Sequence, residues 1–308
     1  MLSRKELIAL TEAGLAFDEK NRTERGVIYL VATPIGNLAD LSDRAKKVLA
    51  EVDFIAAEDT RNTARLLGCF GIRKELVSYY EHNKRERGEL ILSRVMSGES
   101  VALVTDAGMP AISDPGEDLV RLAAEHGVRV LVVPGCCAAV SALALSGLST
   151  GRFAFEGFLS MNKRERRERL AELKSERRTM ILYEAPHKLR ATLVDLAEVF
   201  GDDRHISLCR ELTKLNEETM RTTVSEAIEY YATHDPRGEY VLVLMGQAEY
   251  EALRGENAAP SEHSELSPEE HVALHESKGL SRMDAIKAAA KERGISKSEL
   301  YKILCDKR

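Results

Sequence analysis

The chain has no tryptophan, and aromatic residues make up 5% of it. A row of rings on which successive single-stranded bases stack is therefore not evident. Long apolar runs are also missing, and none reaches the roughly 20 residues that cross a bilayer as a helix. Arg4, Lys5, Glu6 and Glu12 stand where a signal peptide needs an unbroken apolar stretch. Five cysteines, Cys69, Cys136, Cys137, Cys209 and Cys305, show no paired metal spacing, and the adjacent Cys136 and Cys137 are poor disulfide partners. The expectation is a cytoplasmic protein with no membrane association and no resident metal. A strong charge of one sign is lacking too. The formal net charge of -6 does not announce a nucleic-acid binder, so local charge has to decide. No Gly-x-Gly-x-x-Gly follows the first strand, where Thr33-Pro34-Ile35-Gly36-Asn37 holds one glycine, and no Gly-x-x-x-x-Gly-Lys exists. Both absences argue against dinucleotide and P-loop chemistry. Gly147-Leu148-Ser149-Thr150-Gly151 matches Gly-x-Ser-x-Gly, but a helical segment precedes it where a nucleophile elbow needs a strand. His271 and His275 are four apart, with no glutamate after His271. That disfavours a zinc-protease pair and reads as solvated histidines in the tail.

What is present is enough to build two domains. The chain has 308 residues, 44% hydrophobic and 31% charged. Residues 1–25 read as a polar extension with one short helix near Leu7–Leu15. Strands are expected over Val27–Thr33, Phe54–Ala57, Leu76–Tyr80, Val101–Thr105 and Val128–Val133, with helical segments such as Leu41–Leu49 between them. Strands alternating with helices predict a parallel sheet covered on both faces, spanning residues 26–148. After Ser149 the pattern changes. Strands over Phe153–Leu159, Met180–Tyr183, Ile206–Cys209, Glu218–Val224 and Tyr240–Met245, with only two long helices among them, predict a second, mixed α/β domain over residues 149–247. A linker over residues 248–265 then leads to a small helical module, residues 266–308. Its helix starts carry capping signatures at Ser267–Glu270, Ser281–Asp284 and Ser296–Glu299. Two short helices across Gly294 resemble either a helix-turn-helix or a plain helical hairpin.

The most informative stretch is Val101–Gly116, VALVTDAGMPAISDPG. A short buried strand breaks into a loop stiffened by Pro110 and Pro115 and carrying Asp106 and Asp114. Carboxylates at the carboxyl end of such a strand sit where open α/β sheets bind ligands. Four more polar clusters also end strands: Glu58-Asp59-Thr60-Arg61, Glu81-His82-Asn83, Glu184-Ala185-Pro186-His187 and Arg210-Glu211-Leu212-Thr213-Lys214. Each alone reads as a solvated loop or a helix cap. Together they predict a cleft between the domains. Lys163–Arg178 holds eight basic and four acidic residues, as does Ser281–Arg308. Either stretch is a solvated helix with i,i+4 pairs or a phosphate-contacting face.

Several of these segments resemble, in order, the ribosomal RNA small-subunit methyltransferase I family, one branch of the tetrapyrrole-methylase superfamily. They are Ala32–Leu38, Ala57–Arg61, Glu81–Asn83, Thr105–Gly116, Glu156–Phe158, Tyr183–His187 and Arg210–Lys214. The resemblance runs from Gly26 to Gly246. The chain departs from the family at Tyr80, where histidine is usual, and at Ser160, where proline commonly follows Phe158-Leu159. The resemblance implies two α/β domains, a homodimer, and S-adenosylmethionine folded between the domains. It also implies 2'-O-methylation of a cytidine in the decoding region of 16S rRNA, within the small ribosomal subunit. By position, cofactor contacts would fall on Pro34, Asp106, Met109, Ile112, Cys137, Ala138, Glu184 and Leu212.

A 2'-hydroxyl is a weak acid, so methyl transfer to it gains from a base and from a cation near developing charge. Glu58, Asp59, His82 and Glu184 are the candidates for base or orienter, with Glu58 and Glu184 preferred. Arg61 and Arg210 are the candidates for holding phosphate or charge. Two other functions remain open. A sister methylase acting on a small tetrapyrrole would share the fold but should line its acceptor cleft with apolar and ring-stacking side chains. A non-enzymatic RNA-binding assembly protein would bind through the C-terminal helices and would not bind S-adenosylmethionine.

Overall fold

Apolar strands alternating with amphipathic helices build the first lobe of the computed structural model, which describes residues 22–257, 266–293, 300, 301, 303 and 304. Five strands, β1 (Val27–Val31), β2 (Phe54–Ala57), β3 (Glu75–Ser78), β4 (Val101–Val104) and β5 (Arg129–Val133), lie parallel in the order β3-β2-β4-β1-β5. Helices α1 (Asp43–Glu51), α2 (Thr60–Cys69), α3 (Lys84–Met96) and α4 (Gly116–Glu125) cover both faces. Successive strand residues point to opposite faces. Ala102 and Val104 of β4 therefore pack with α1 and α2, while Val101 and Leu103 pack with α3 and α4. A strand buried on both sides needs apolar residues throughout, which is why β1, β2 and β4 read as unbroken runs.

The strand order creates the crevice. The helices after β1 and β2 leave toward one face of the sheet, and the helix after β4, between them, leaves toward the other. Open α/β sheets bind ligands at such a reversal, outside the carboxyl ends of the strands. The Thr105–Pro115 loop occupies that place. Thr33, just past β1, reaches it through a two-residue bridge to Gly108.

After β5, helix α5 (Ala138–Ser146) carries no charged side chain. The second lobe follows with β6 (Phe153–Phe158), α6 (Lys163–Leu173), β7 (Thr179–Glu184), α7 (Pro186–Phe200), β8 (His205–Arg210), β9 (Glu218–Thr223), α8 (Val224–Thr233) and β10 (Tyr240–Leu244). Its sheet order is β6-β7-β10-β8-β9, and within it β6 and β7 are parallel while the other neighbours are antiparallel. Three helices lie among these strands, one more than the sequence pattern indicates. The extra one, α8, starts on a capping box between Thr223 and Glu226, hidden at the threonine-rich end of β9. Helices α6, α7 and α8 cover one face of this sheet. The other face is covered by α5, whose Ala139, Ala142 and Leu143 pack on Ile181, Cys209, Val241 and Val243. The small alanines let helix and sheet approach closely, so one apolar layer joins the lobes.

Two expectations for the end of the chain are corrected. Gln247–Asn257 is a helix, α9, where a linker was expected to begin. Arg204 is buried, so its guanidinium needs acceptors, and it finds them in the Met245 carbonyl (3.3 Å) and Gln247 Oε1 (2.6 Å) while stacking over Tyr250. This anchors the start of α9. The histidines of α10 (Pro268–Ser277) are buried, not solvated. The His271 and His275 rings stack 5.3 Å apart, and His271 Nδ1 accepts a hydrogen bond from Arg293 Nε at 3.0 Å. They pack beside the core that α10 shares with α11 (Arg282–Glu292). The expected capping boxes or caps at Ser267 and Ser281 are present. The Leu7–Leu15 helix, residues 258–265, Gly294 and the Ser296–Glu299 start lie outside the described residues.

Leu242, fully buried in the middle strand of the second sheet, tests this packing. Leu242→Ala is expected to lower stability by about 2–5 kcal/mol, read from urea unfolding.

Candidate active site

The Thr105–Pro115 loop is held open from within. Asp114 Oδ1 accepts from the amides of Ala111 (3.0 Å) and Gly116 (2.8 Å), and Oδ2 accepts from the Ile112 amide (3.2 Å). That carboxylate is a scaffold, so of the loop's two acids Asp106 is the one turned outward, accepting from Asn62 Nδ2 at 3.0 Å. Gly116 has to be glycine, because a Cβ there would lie 2.7 Å from Asp114 Oδ1 and 2.9 Å from the Ala111 nitrogen.

Among the described residues, the four non-glycine positions with positive φ are Ala111, Ser113, Glu211 and Thr213. They form two pairs, one in this loop and one in the loop after β8, and the two loops face each other across the lobes. Each such residue costs of order 1–3 kcal/mol, and strain of this kind concentrates where a ligand is gripped. The two loops clasp the turn after β1. The Asn37 amide donates to Thr213 Oγ1 at 3.1 Å, and a Cβ on Gly36 would meet Lys214 Cγ at 2.5 Å. Glu211 Oε1 accepts from Lys214 Nζ (2.8 Å) and from the Glu239 amide (3.0 Å), and Lys214 also pairs with Glu239 at 2.9 Å. The Lys214 hydrogen bond holds the Glu211 carboxyl below its ordinary value of 4.5, against an opposing push from burial.

Three adjoining cavities open between these loops, and all three touch Ile35 and Ala107. One of about 420 Å³ reaches Ala138, Tyr183, Glu184 and Leu212. One of about 170 Å³ lies beside Glu58, Met109, Ile112, Cys137 and Ala138. One of about 290 Å³ is bounded by Pro34, Asn62, Asp106 and Lys214. The eight positions expected to contact a cofactor all line one of them. The first has the size and mostly apolar wall of a small-molecule site.

The residues expected to do chemistry are less united. Glu58 lines the middle cavity, and its Oε2 accepts from Thr105 Oγ1 at 2.8 Å. Glu184 touches the cavity of about 420 Å³, but strand alternation sends Ile181 and Tyr183 toward the cleft and the side chains of Met180, Leu182 and Glu184 toward the helices. Its carboxylate is buried there, accepting from the Ala185 amide at 2.8 Å and from Thr192 Oγ1. Arg210 follows the same parity on β8. It pairs with Glu218 at 2.9 Å and lines a separate cavity beside Tyr230 and His234. Asp59 caps α2 through the Arg61 amide and holds the Arg61 guanidinium at 2.7 Å, a hydrogen bond that keeps its carboxyl well below the usual range. This pair is local to the helix start. His82 is exposed at the far edge of the sheet, edge-on to Tyr80. Three of the four polar clusters predicted to converge on one cleft do supply residues that line it, namely Glu58, Glu184 with Pro186, and Leu212 with Lys214; the fourth, Glu81-His82-Asn83, is corrected, because it follows the edge strand β3. On α6, Arg164, Arg166 and Arg169 are held by Glu168, Asp195 and Glu156, which favours the solvated-helix reading of that basic stretch.

Tyr183, Phe158 and Glu239 are wall residues that the sequence reasoning missed. Alternation along β7 could have exposed Tyr183. Its phenol is pushed up to about 12 by burial, and then by the Cys137 thiol, so it stays a neutral hydroxyl. Among the described residues no group of three or more His, Cys, Asp or Glu side chains is placed to hold a metal ion, and no helix is long and apolar enough to cross a membrane.

Comparison with known proteins gives a consistent result. The family model for Tetrapyrrole (Corrin/Porphyrin) Methylases matches residues 27–228. Ribosomal RNA small subunit methyltransferase I of Halalkalibacterium halodurans is 46% identical over 286 residues, covering 92% of this chain and 96% of the relative. The protein of that name from Bacillus subtilis is 44% identical over 280 residues, covering 91% and 94%. Among solved structures, a diphthine synthase aligns with a TM-score of 0.55 at 16% identity, over 74% of this chain and 95% of its own. Uroporphyrin-III C-methyl transferase from Thermus thermophilus, complexed with S-adenyl homocysteine, aligns with a TM-score of 0.50 at 20% identity, over 73% and 99%. The likeness to these two is one of fold.

Two outcomes test the loop geometry. Asp114→Ala leaves three amides without their acceptor. It is expected to cost about 1–3 kcal/mol and to speed amide exchange at Ile112 and Gly116. Because the folded Glu211 value is depressed, its pairing contributes fully above about pH 4.5 and is lost as pH falls through the folded value. Lys214→Met should flatten that acid limb in a profile of stability against pH.

Proposed function

The chain belongs to the tetrapyrrole methylase family and, within it, to the ribosomal RNA small subunit methyltransferase I group; from that premise we propose that it methylates the ribose 2'-oxygen of a cytidine in the decoding region of 16S rRNA, within the small ribosomal subunit. It is a methyltransferase that uses S-adenosylmethionine. The observation carrying the finer reading is that all eight expected cofactor positions line three cavities sharing Ile35 and Ala107, with Glu58 at the middle one.

The residues present fit the donor. Ile35, Ala138, Leu212 and Val241 offer an apolar slot for an adenosyl group, and Asp106 and Glu58 offset a sulfonium charge. When bound, the donor supplies a methyl already activated by positive sulfur. In giving that methyl to the acceptor oxygen, it would keep the carbon–sulfur electron pair and become a neutral thioether. What remains for the chain is alignment, which supplies much of the barrier reduction in a transfer of this kind. Asp114 presets the loop, and the Glu211–Lys214 clasp fixes the opposite wall. Glu58 orients the 2'-hydroxyl and takes its proton, with Thr105 fixing one carboxylate oxygen. Glu184 acts as a positioning residue, since both its oxygens bind its own lobe.

The same reading makes the protein a cytoplasmic homodimer. β5 is the outer strand of the first sheet and leaves Val132 exposed, and the outward face of α5 carries exposed Val140 and Leu145. Exposed apolar side chains of this kind suit an interface between copies.

Radiolabelled methyl transfer to unmodified small subunits tests the assignment. The label is expected on a ribose 2'-oxygen of a cytidine; label on a base atom, or transfer to porphyrin precursors instead, overturns it. Glu58→Gln should lower turnover ~100-fold or more with cofactor affinity unchanged. Parent-level activity would remove Glu58 from the reaction.

A further inference from the structure

One aromatic ring at the cleft has no part in the scheme above. Phe158 lines both the cavity of about 420 Å³ and the one of about 170 Å³ beside Glu58, yet 62% of it is exposed. Its orientation is not what a regular strand gives. Phe155 of β6 lies opposite Ile181, so by simple alternation Phe158 would face the helices. The register slips instead: Phe155 pairs with Ile181, Gly157 with Leu182 and Phe158 with Tyr183, leaving Glu156 as the extra residue of a bulge. Bulges re-aim side chains, often beside active sites. This one turns Phe158 to the cleft side, where it leans on Tyr183 with ring centroids 5.4 Å apart.

Three contacts hold the bulge. The Glu156 side chain is buried and accepts from Arg169 of α6 at 2.6 Å. Gly157 has a φ of +61°, open to glycine at little cost, and a Cβ there would lie 3.0 Å from Ser113 Oγ of the strained loop. Tyr183 is itself braced edge-on by Phe155 at 5.1 Å. A braced, solvent-facing ring beside Glu58's cavity presents a π-face to whatever enters from outside.

We propose that Phe158 is the platform on which the acceptor nucleobase stacks when its nucleotide is drawn into the cleft, holding the ribose over Glu58. This rests on the assignment of an RNA ribose as acceptor. When a nucleotide is drawn out of its stack so that its ribose enters a cleft, an aromatic face replaces the stacking it gives up. Stacking tolerates any base, so Phe158 positions the nucleotide while other contacts choose it.

The test uses the full chain, unmodified small ribosomal subunits and S-adenosylmethionine, with methyl transfer and calorimetric cofactor binding measured side by side. The exposed ring can be removed without opening the core, so Phe158→Ala is expected to fold. Its kcat/KM should fall ~10- to 100-fold, mainly through KM, while cofactor affinity stays within about twofold. Phe158→Tyr and Phe158→Trp should keep most activity. Phe158→Leu, apolar but without a π-face, should lose nearly as much as alanine. Parent-level activity in Phe158→Leu overturns the platform alone. Equal losses of cofactor affinity and transfer in Phe158→Ala also overturn it, by giving the ring to the cofactor. No transfer to subunits by the parent sinks the RNA assignment and the platform with it.

Discussion

Everything at the cleft depends on α5 lying against the second sheet. The helix has no charge, its inner face is small, and it seals the side of that sheet which α6, α7 and α8 leave open. Were that apolar layer absent, Ile181, Val241 and Val243 would face water, and the two strained loops would no longer oppose each other. Burial worth roughly 25 cal/mol per Å² of apolar surface makes this joint much stronger than the polar clasp between Asn37 and Thr213. The clasp sets alignment; the apolar layer holds the lobes together.

Rigidity is the common theme of the site. Four residues held at positive φ, an acid whose oxygens are taken by its own loop, and glycines where side chains would collide all keep the walls in one arrangement. A reaction whose methyl is already activated gains most from such preorganisation, because little beyond alignment is required of the protein. The strain is offset by packing elsewhere, chiefly in the two large cores.

Much of this architecture was legible in the residues. Every strand was located to within two positions at either end, since apolar runs bounded by Gly, Pro and Asp are strong local signals. The carboxyl-end loop of β4 and the eight positions expected to contact a cofactor also line adjoining cavities. Failures came where a local pattern has two meanings. Thr223 reads as strand and as cap, and became the start of an unforeseen helix. His271 and His275 sit in a polar stretch, yet α11 packs over them. Arg210, Glu184 and His82 end strands just as Glu58 does, but parity or edge position turns Arg210, His82 and the Glu184 carboxylate elsewhere.

Local pattern in the chain set the class of fold, the positions of its strands and the stiff loop at the carboxyl end of β4, because periodicity, proline and glycine act within a few residues of one another. Packing of the whole chain settled which strand-end carboxylate faces the cavity beside Met109 and Ile112, which face each side chain takes, and that a bulge turns Phe158 to the cleft side. Those outcomes depend on register between strands distant in the chain. A shift of one residue exchanges the two faces of a strand, and no local pattern records it.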